Sequence, residues 1–178
     1  MLRCGIGIDM RPFDDGRELV LGGTKIENQS GLAGGFDADV VSLAVCDAVL
    51  GAANLGDVNY LFAPDDDKYK DFSGLKLLEF IRIKLAKTMF VIENIDISLL
   101  CNMFDITPYK TYMAINIARA LDMEPSRISI KSSSPLCNLL TSEKAGISAV
   151  CVCSLFEFEF EEEEEEPEVV DGDEEYYE

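Results

Sequence analysis

The sequence predicts an α+β fold: a sandwich of one mainly four-stranded sheet covered by helices. Three observations predict it. Apolar or alternating stretches at residues 2–9, 91–101, 127–133 and 147–158 read as strands. Apolar residues recur at helical spacing after Asp39, after Ser73 and after Pro108. Taken along the chain, the elements run hairpin, helix, helix, strand, helix, strand, strand, the mixed order of an α+β sandwich rather than a regular βαβ series. A chain of 178 residues with 48% hydrophobic content suits one domain with a sizeable core.

Each element has its own reason. Leu2 to Ile8, carrying CGIGID, forms a first strand that ends at Asp9. Asp14-Asp15-Gly16 is turn chemistry, and Glu18–Leu21 and Thr24–Ile26 flank Gly22-Gly23 as a hairpin. Residues 28 to 35 read as a glycine- and serine-rich loop. Asp39 is a suitable N-cap for an apolar helix through Ala53, with Gly56 as its left-handed stop and Gly56-Asp57 closing it. That helix is apolar around most of its circumference, which predicts burial against a sheet or a partner subunit. Residues 61–73, with Pro64 and three consecutive aspartates, read as a second loop. Ser73 caps a helix from Gly74 to Lys87 with a Leu75, Leu78, Ile81, Leu85 stripe. Pro108 suits the first turn of a helix to Leu121.

The net charge of −19 is uneven. Residues 157–178 carry 14 of the 34 acids and no Lys or Arg, leaving 20 acids against 15 bases in the rest. The expected division is therefore a domain over residues 1–158 and an acidic, disordered tail over 159–178. The acidic balance argues against nucleic acid, whose phosphates call for Lys and Arg. No apolar run reaches the roughly 18 residues of a membrane span, and the N-terminus lacks signal-peptide character. A cytoplasmic setting is expected. Six cysteines lie mostly in apolar runs, and Cys151 and Cys153 share one strand face. Free buried thiols are the expectation. With no CxxC pair and no histidine anywhere, a cysteine zinc site has little support.

Several motifs follow one another at characteristic spacing. They are Gly5-Ile6-Gly7-Ile8-Asp9, Leu21-Gly22-Gly23-Thr24-Lys25-Ile26, Gly31-Leu32 and Asp37-Ala38-Asp39-Val40. Asp47 to Ala52, Leu55-Gly56-Asp57, Leu61-Phe62 with Pro64 to Asp67, Asn94 to Ile97 and Ile130 to Ser134 continue the series. In this order they resemble the 2-C-methyl-D-erythritol 2,4-cyclodiphosphate synthase family of the non-mevalonate isoprenoid pathway, over roughly residues 2 to 156. The resemblance implies a homotrimer with three active sites at subunit interfaces. It also implies closure of a cytidine-diphosphate-linked methylerythritol phosphate to a cyclic diphosphate, with release of CMP. Zinc and a magnesium or manganese ion would polarise the phosphates.

The same resemblance exposes what this sequence lacks. The family's zinc ligands are an Asp-x-His pair and a helix histidine; here the positions read Asp9, Arg11 and Leu43, so Asp9 alone remains. One carboxylate falls short of the roughly three protein ligands of a catalytic zinc site. Arg11 would instead pair with Asp9 and fill the hole. A His-Ser pair of the family corresponds to Gly35 and Phe36, a glutamate to Leu136, a phosphate-facing arginine to Glu143, and a Pro-Lys pair to Phe104-Asp105. The family's substrate-contacting positions otherwise fall on Asp57, Asn59, Phe62, Asp65, Asp67, Ser133, Ser134 and Leu140. Lost and reversed charges would repel a diphosphate. The expectation is a catalytically inactive scaffold or regulatory trimer without a cofactor. One alternative is a divergent, active phosphorus–oxygen lyase holding magnesium or manganese through Asp9, Asp39, Asp57 and Asp65–Asp67. Another is a module that binds a protein partner through its acidic tail. Read without the resemblance, Asp37 and Asp39 set the loop and helix start, Asp57 caps or closes the helix, and Lys131 is a surface residue or forms a structural ion pair.

Overall fold

The computed structural model describes residues 1–158 apart from 28–29, 64–65, 67, 70–71, 102–104 and 133–145. Alternation in the sequence becomes one four-stranded sheet of β1 (Leu2–Arg11), β6 (Phe90–Leu100), β7 (Ile128–Ser132) and β8 (Ile147–Glu157). The order is β1-β8-β6-β7, with β6 and β7 parallel and the other neighbours antiparallel. Two smaller ladders join β2 (Phe13–Asp14) to β5 (Gly31–Leu32) and β3 (Leu19–Leu21) to β4 (Thr24–Ile26). The expected loop at residues 28 to 35 thus contains a short strand, because Phe13 and Asp14 offer it a partner.

Helices α1 (Val40–Ala53), α3 (Gly74–Leu85) and α4 (Lys110–Leu121) form the second layer, and a one-turn helix α2 (Val58–Leu61) follows α1. As its composition predicts, α1 is buried nearly all round, exposing Gly51 and half-exposing Asp47. It lies against β1 at Gly5 and Gly7. A Cβ at Gly7 would meet the Ala44 carbonyl oxygen at 2.0 Å, and one at Gly5 the Ala48 carbonyl oxygen at 2.1 Å. Only glycine lets helix backbone and strand backbone approach so closely.

Two helix ends differ from expectation. Asn54, not Gly56, takes the left-handed position that stops α1, with φ of 57°. Asn adopts this region more readily than other side chains do. Asp57 does not close α1; it caps α2, accepting from the Tyr60 N–H at 2.9 Å. Helix α3 ends at Leu85 rather than Lys87, and its buried stripe includes Leu77 in place of the half-buried Leu75. Cys46, Cys151 and Cys153 are buried free thiols whose burial pushes their pKa values up, whereas Cys4 is exposed.

The helices cover one sheet face. On the other, β1 and β8 present Leu2, Ile6, Ile8, Met10 and Val152, from 44% to 68% exposed. Ile6 stands opposite Val152 in the ladder, so these side chains form a continuous apolar surface rather than scattered exceptions.

Candidate functional site

The corner where β1 ends, residues 31 to 39 pass and α1 begins is built around charged groups. Along β1, Gly5, Gly7, Asp9 and Arg11 share the helix-facing side, since strand residues alternate. The first two clear space for α1, and the next two bring side chains to its N-terminal end. Arg11 Nε donates to both carboxylate oxygens of Asp9, at 2.9 and 3.2 Å. Both side chains are mostly buried, 24% and 18% exposed. The Arg11 guanidinium also fills the space over Gly34, where a Cβ would lie 1.9 Å from Nη1. A second guanidinium, from Arg17, donates to the Gly34 carbonyl and, at 2.8 Å, to the Phe36 carbonyl. Gly35 is exposed, while Phe36 is half-buried against the core with a left-handed φ of 56°. Leu43, 3% exposed, belongs to the core.

These residues do not fit a zinc ion. Of the three positions at which the resemblance would put zinc ligands, Leu43 has no donor atom and Arg11 carries a fixed positive charge. Asp9, the one oxygen donor, already accepts from that charge. Among the described residues no group of three or more His, Cys, Asp or Glu is arranged to hold a metal ion.

Asp39 is removed from chemistry in another way. It is fully buried and accepts from the N–H groups of Gly22 and Gly23 at 2.8 and 2.7 Å, of Val41 and Ser42 at 3.1 Å each, and from Ser42 Oγ at 2.7 Å. Hairpin turn and helix start are thus tied to one carboxylate. Asp37 accepts from the Gly74 N–H at 2.9 Å and so joins α3 to the same junction. Burial pushes Asp39 up to about 6, the Asp37 charge adding to it, and burial also raises Asp37. The idea of Asp39 as a magnesium ligand is therefore corrected: both oxygens are spent on the fold. The expectation that Asp37 and Asp39 set the loop and helix start holds.

Asp47 lies within reach of the charges of two other carboxylates. Burial raises Asp47, and the charges of Asp57 and Asp9 raise it further, against the N–H of Val58, which Asp47 accepts at 2.9 Å. Asn59 is exposed on α2. Phe62 is not presented to a ligand; it is 3% exposed and meets Tyr69 and Phe80 edge-on at ring distances of 5.3 and 6.2 Å. Lys131 pairs with Asp96 across β6 and β7. Asp65, Asp67, Ser133, Ser134, Leu136, Leu140 and Glu143 lie outside the described residues. Sequence reading missed Arg17, Ser42 and Asp47. Arg17 carries no local signal, because its acceptors are backbone carbonyls 17 and 19 residues away.

A mixed sheet with one helical layer, and a polar corner at the end of its first strand, define an α+β protein. The model of the YgbB family matches residues 2–156. The 2-C-methyl-D-erythritol 2,4-cyclodiphosphate synthase of Agathobacter rectalis is 39% identical over 154 residues, 86% of this chain and 87% of its own. That of Pelodictyon phaeoclathratiforme is 43% identical over 153 residues, 85% and 98% of the two chains. Among solved structures, the bifunctional IspDF of Campylobacter jejuni superposes with a TM-score of 0.84 at 31% identity, over 89% of this chain but 43% of that one. The CDP complex of Plasmodium falciparum IspF does so with a TM-score of 0.75 at 25% identity, over 89% and 97%. This chain belongs to the YgbB family.

Proposed function

We propose that this chain is a non-catalytic cyclodiphosphate synthase-like protein of isoprenoid biosynthesis, acting as a homotrimeric scaffold or regulatory subunit that holds no zinc. The observation that carries the reading is the Asp9–Arg11 pair at 2.9 Å. It puts a covalently tethered cation on the carboxylate that the resemblance would leave for a metal, and Leu43, buried in the core, offers no donor atom. Without that Lewis acid, the described residues of the corner lack the metal polarisation of a phosphate that the resemblance implies. The bare apolar face of β1 and β8 supports self-association, since a surface of that kind is seldom left to water.

Release of CMP from the relatives' substrate, measured with zinc and magnesium supplied, tests this reading. No release above the uncatalysed rate is expected; turnover comparable to an active relative run in parallel sinks it.

A second reading, a divergent magnesium- or manganese-dependent cyclase, draws on the charges of Asp57 and Asp9 that act on Asp47. It requires CDP to raise the melting temperature only when magnesium is present. No shift with the pair counts against it.

A further inference from the structure

The acidic C-terminal segment is a sequence feature that the family resemblance does not absorb, and the fold delivers its start to a concave part of the surface with cations nearby. Strand β8 ends at Glu157, opposite Phe90 at the start of β6. The Phe158 N–H then donates to the Met89 carbonyl at 2.7 Å, so the chain leaves the sheet beside Met89 and Phe90. Immediately there, a cavity of about 230 Å³ opens between the ends of α3 and α4. Leu85, Phe90, Val91, Ile92, Leu121 and Met123 supply its apolar lining.

Cations and acids both stand around it. Arg82 lines the cavity, and the Arg3 guanidinium sits 4.2 Å from the centre of the Phe90 ring. Lys87 is exposed just beyond the end of α3. Of the acids, Glu157 pairs with the Met1 ammonium at 3.6 Å, and Asp122, 82% exposed, reaches Arg82 only at 3.6 Å, a pair weak enough to exchange for another carboxylate.

We propose that residues 159–178 dock in cis on this cavity, their carboxylates meeting Arg3, Arg82 and Lys87. The segment has 13 acids and no base, which suits it to these three cations. Twenty residues reach up to about 66 Å when extended, far more than the adjoining cavity requires. Because the segment begins beside its site, the effective concentration is on the order of millimolar, enough to sustain contacts that would be negligible between separate molecules. Val169-Val170 and Tyr176-Tyr177 provide apolar pairs to enter the cavity. The proposal is independent of whether the Asp9–Arg11 corner is catalytic.

Carbodiimide coupling of the full chain, read by mass spectrometry, tests it, since that reagent joins carboxylates and lysines already in contact. Tail cross-links should fall predominantly on Lys87, within one chain in a mixture of isotopically light and heavy protein. They should fade in about 1 M NaCl, where the screening length is about 3 Å. Cross-links spread evenly over Lys25, Lys76, Lys110 and Lys131, cross-links formed only between light and heavy chains, or cross-links indifferent to salt would each overturn the proposal.

Discussion

The two halves of strand β1 have had opposite fates. At Gly5 and Gly7 the strand touches helix backbone so closely that no side chain fits, and the glycines are kept. Two residues on, Asp9 and Arg11 stand where the family resemblance calls for an aspartate and a histidine, and the arginine answers the aspartate from within the chain. Shape is thus preserved by contacts that admit no alternative. Charge is preserved only in its local balance, which an internal cation satisfies as well as an external one. In the proposed reading, a corner that neutralises itself keeps the fold without an external cation.

The largest effect is expected at the architectural half. Gly7→Val places atoms 2.0 Å from the Ala44 carbonyl and should destabilise the chain by about 3 kcal/mol in urea melts. A loss below 1 kcal/mol would mean that α1 can slide on β1. Next is the junction that both halves share: Asp39→Ala removes a fully buried acceptor of five hydrogen bonds and should cost about 2 kcal/mol. Because burial lifts the folded-state pKa of Asp39 from 3.8 to about 6, its contribution is complete below pH 4 and is lost as pH rises through 6. The wild type should therefore lose more stability between pH 4 and 6 than Asp39→Asn does; equal slopes would place the titration elsewhere. At the charged half, Arg11→Met leaves Asp9 without its partner in a site open enough for water to help, at a cost of about 1 kcal/mol. The smallest change has the opposite sign. Gly51, exposed on α1 with nothing within 4 Å of its absent Cβ, should gain about 0.5–1 kcal/mol as Gly51→Ala. The contrast between Gly51 and Gly7 shows whether close approach, rather than glycine content, holds the helix to the strand.

Most of the fold was legible because its signals are local. Alternation marks β6 and β8, Asp39 and Ser73 announce helix starts, and Gly22-Gly23 announces the turn of β3 and β4. Part of what was missed depended on partners distant in sequence: strand β5 exists because Phe13 and Asp14 face it. Asp57 is a local case, serving the helix after it rather than the one before. Within the site, the pairing of Arg11 with Asp9 was legible from two residues of spacing on one strand face. Arg17 was not, since reaching Gly34 and Phe36 is a matter of tertiary path. The burial of Asp39 was likewise invisible: an aspartate before a helix signals a cap, but only the folded hairpin shows that its second oxygen is also taken.

The central claim is that Asp9 is closed to metal by its own neighbour, and zinc binding measures this most directly. Wild-type protein equilibrated with zinc, then dialysed, should retain well under one ion per chain, with no difference between it and Asp9→Ala. Retention of about one zinc per chain, lost in Asp9→Ala, would contradict the claim and return the corner to metal chemistry.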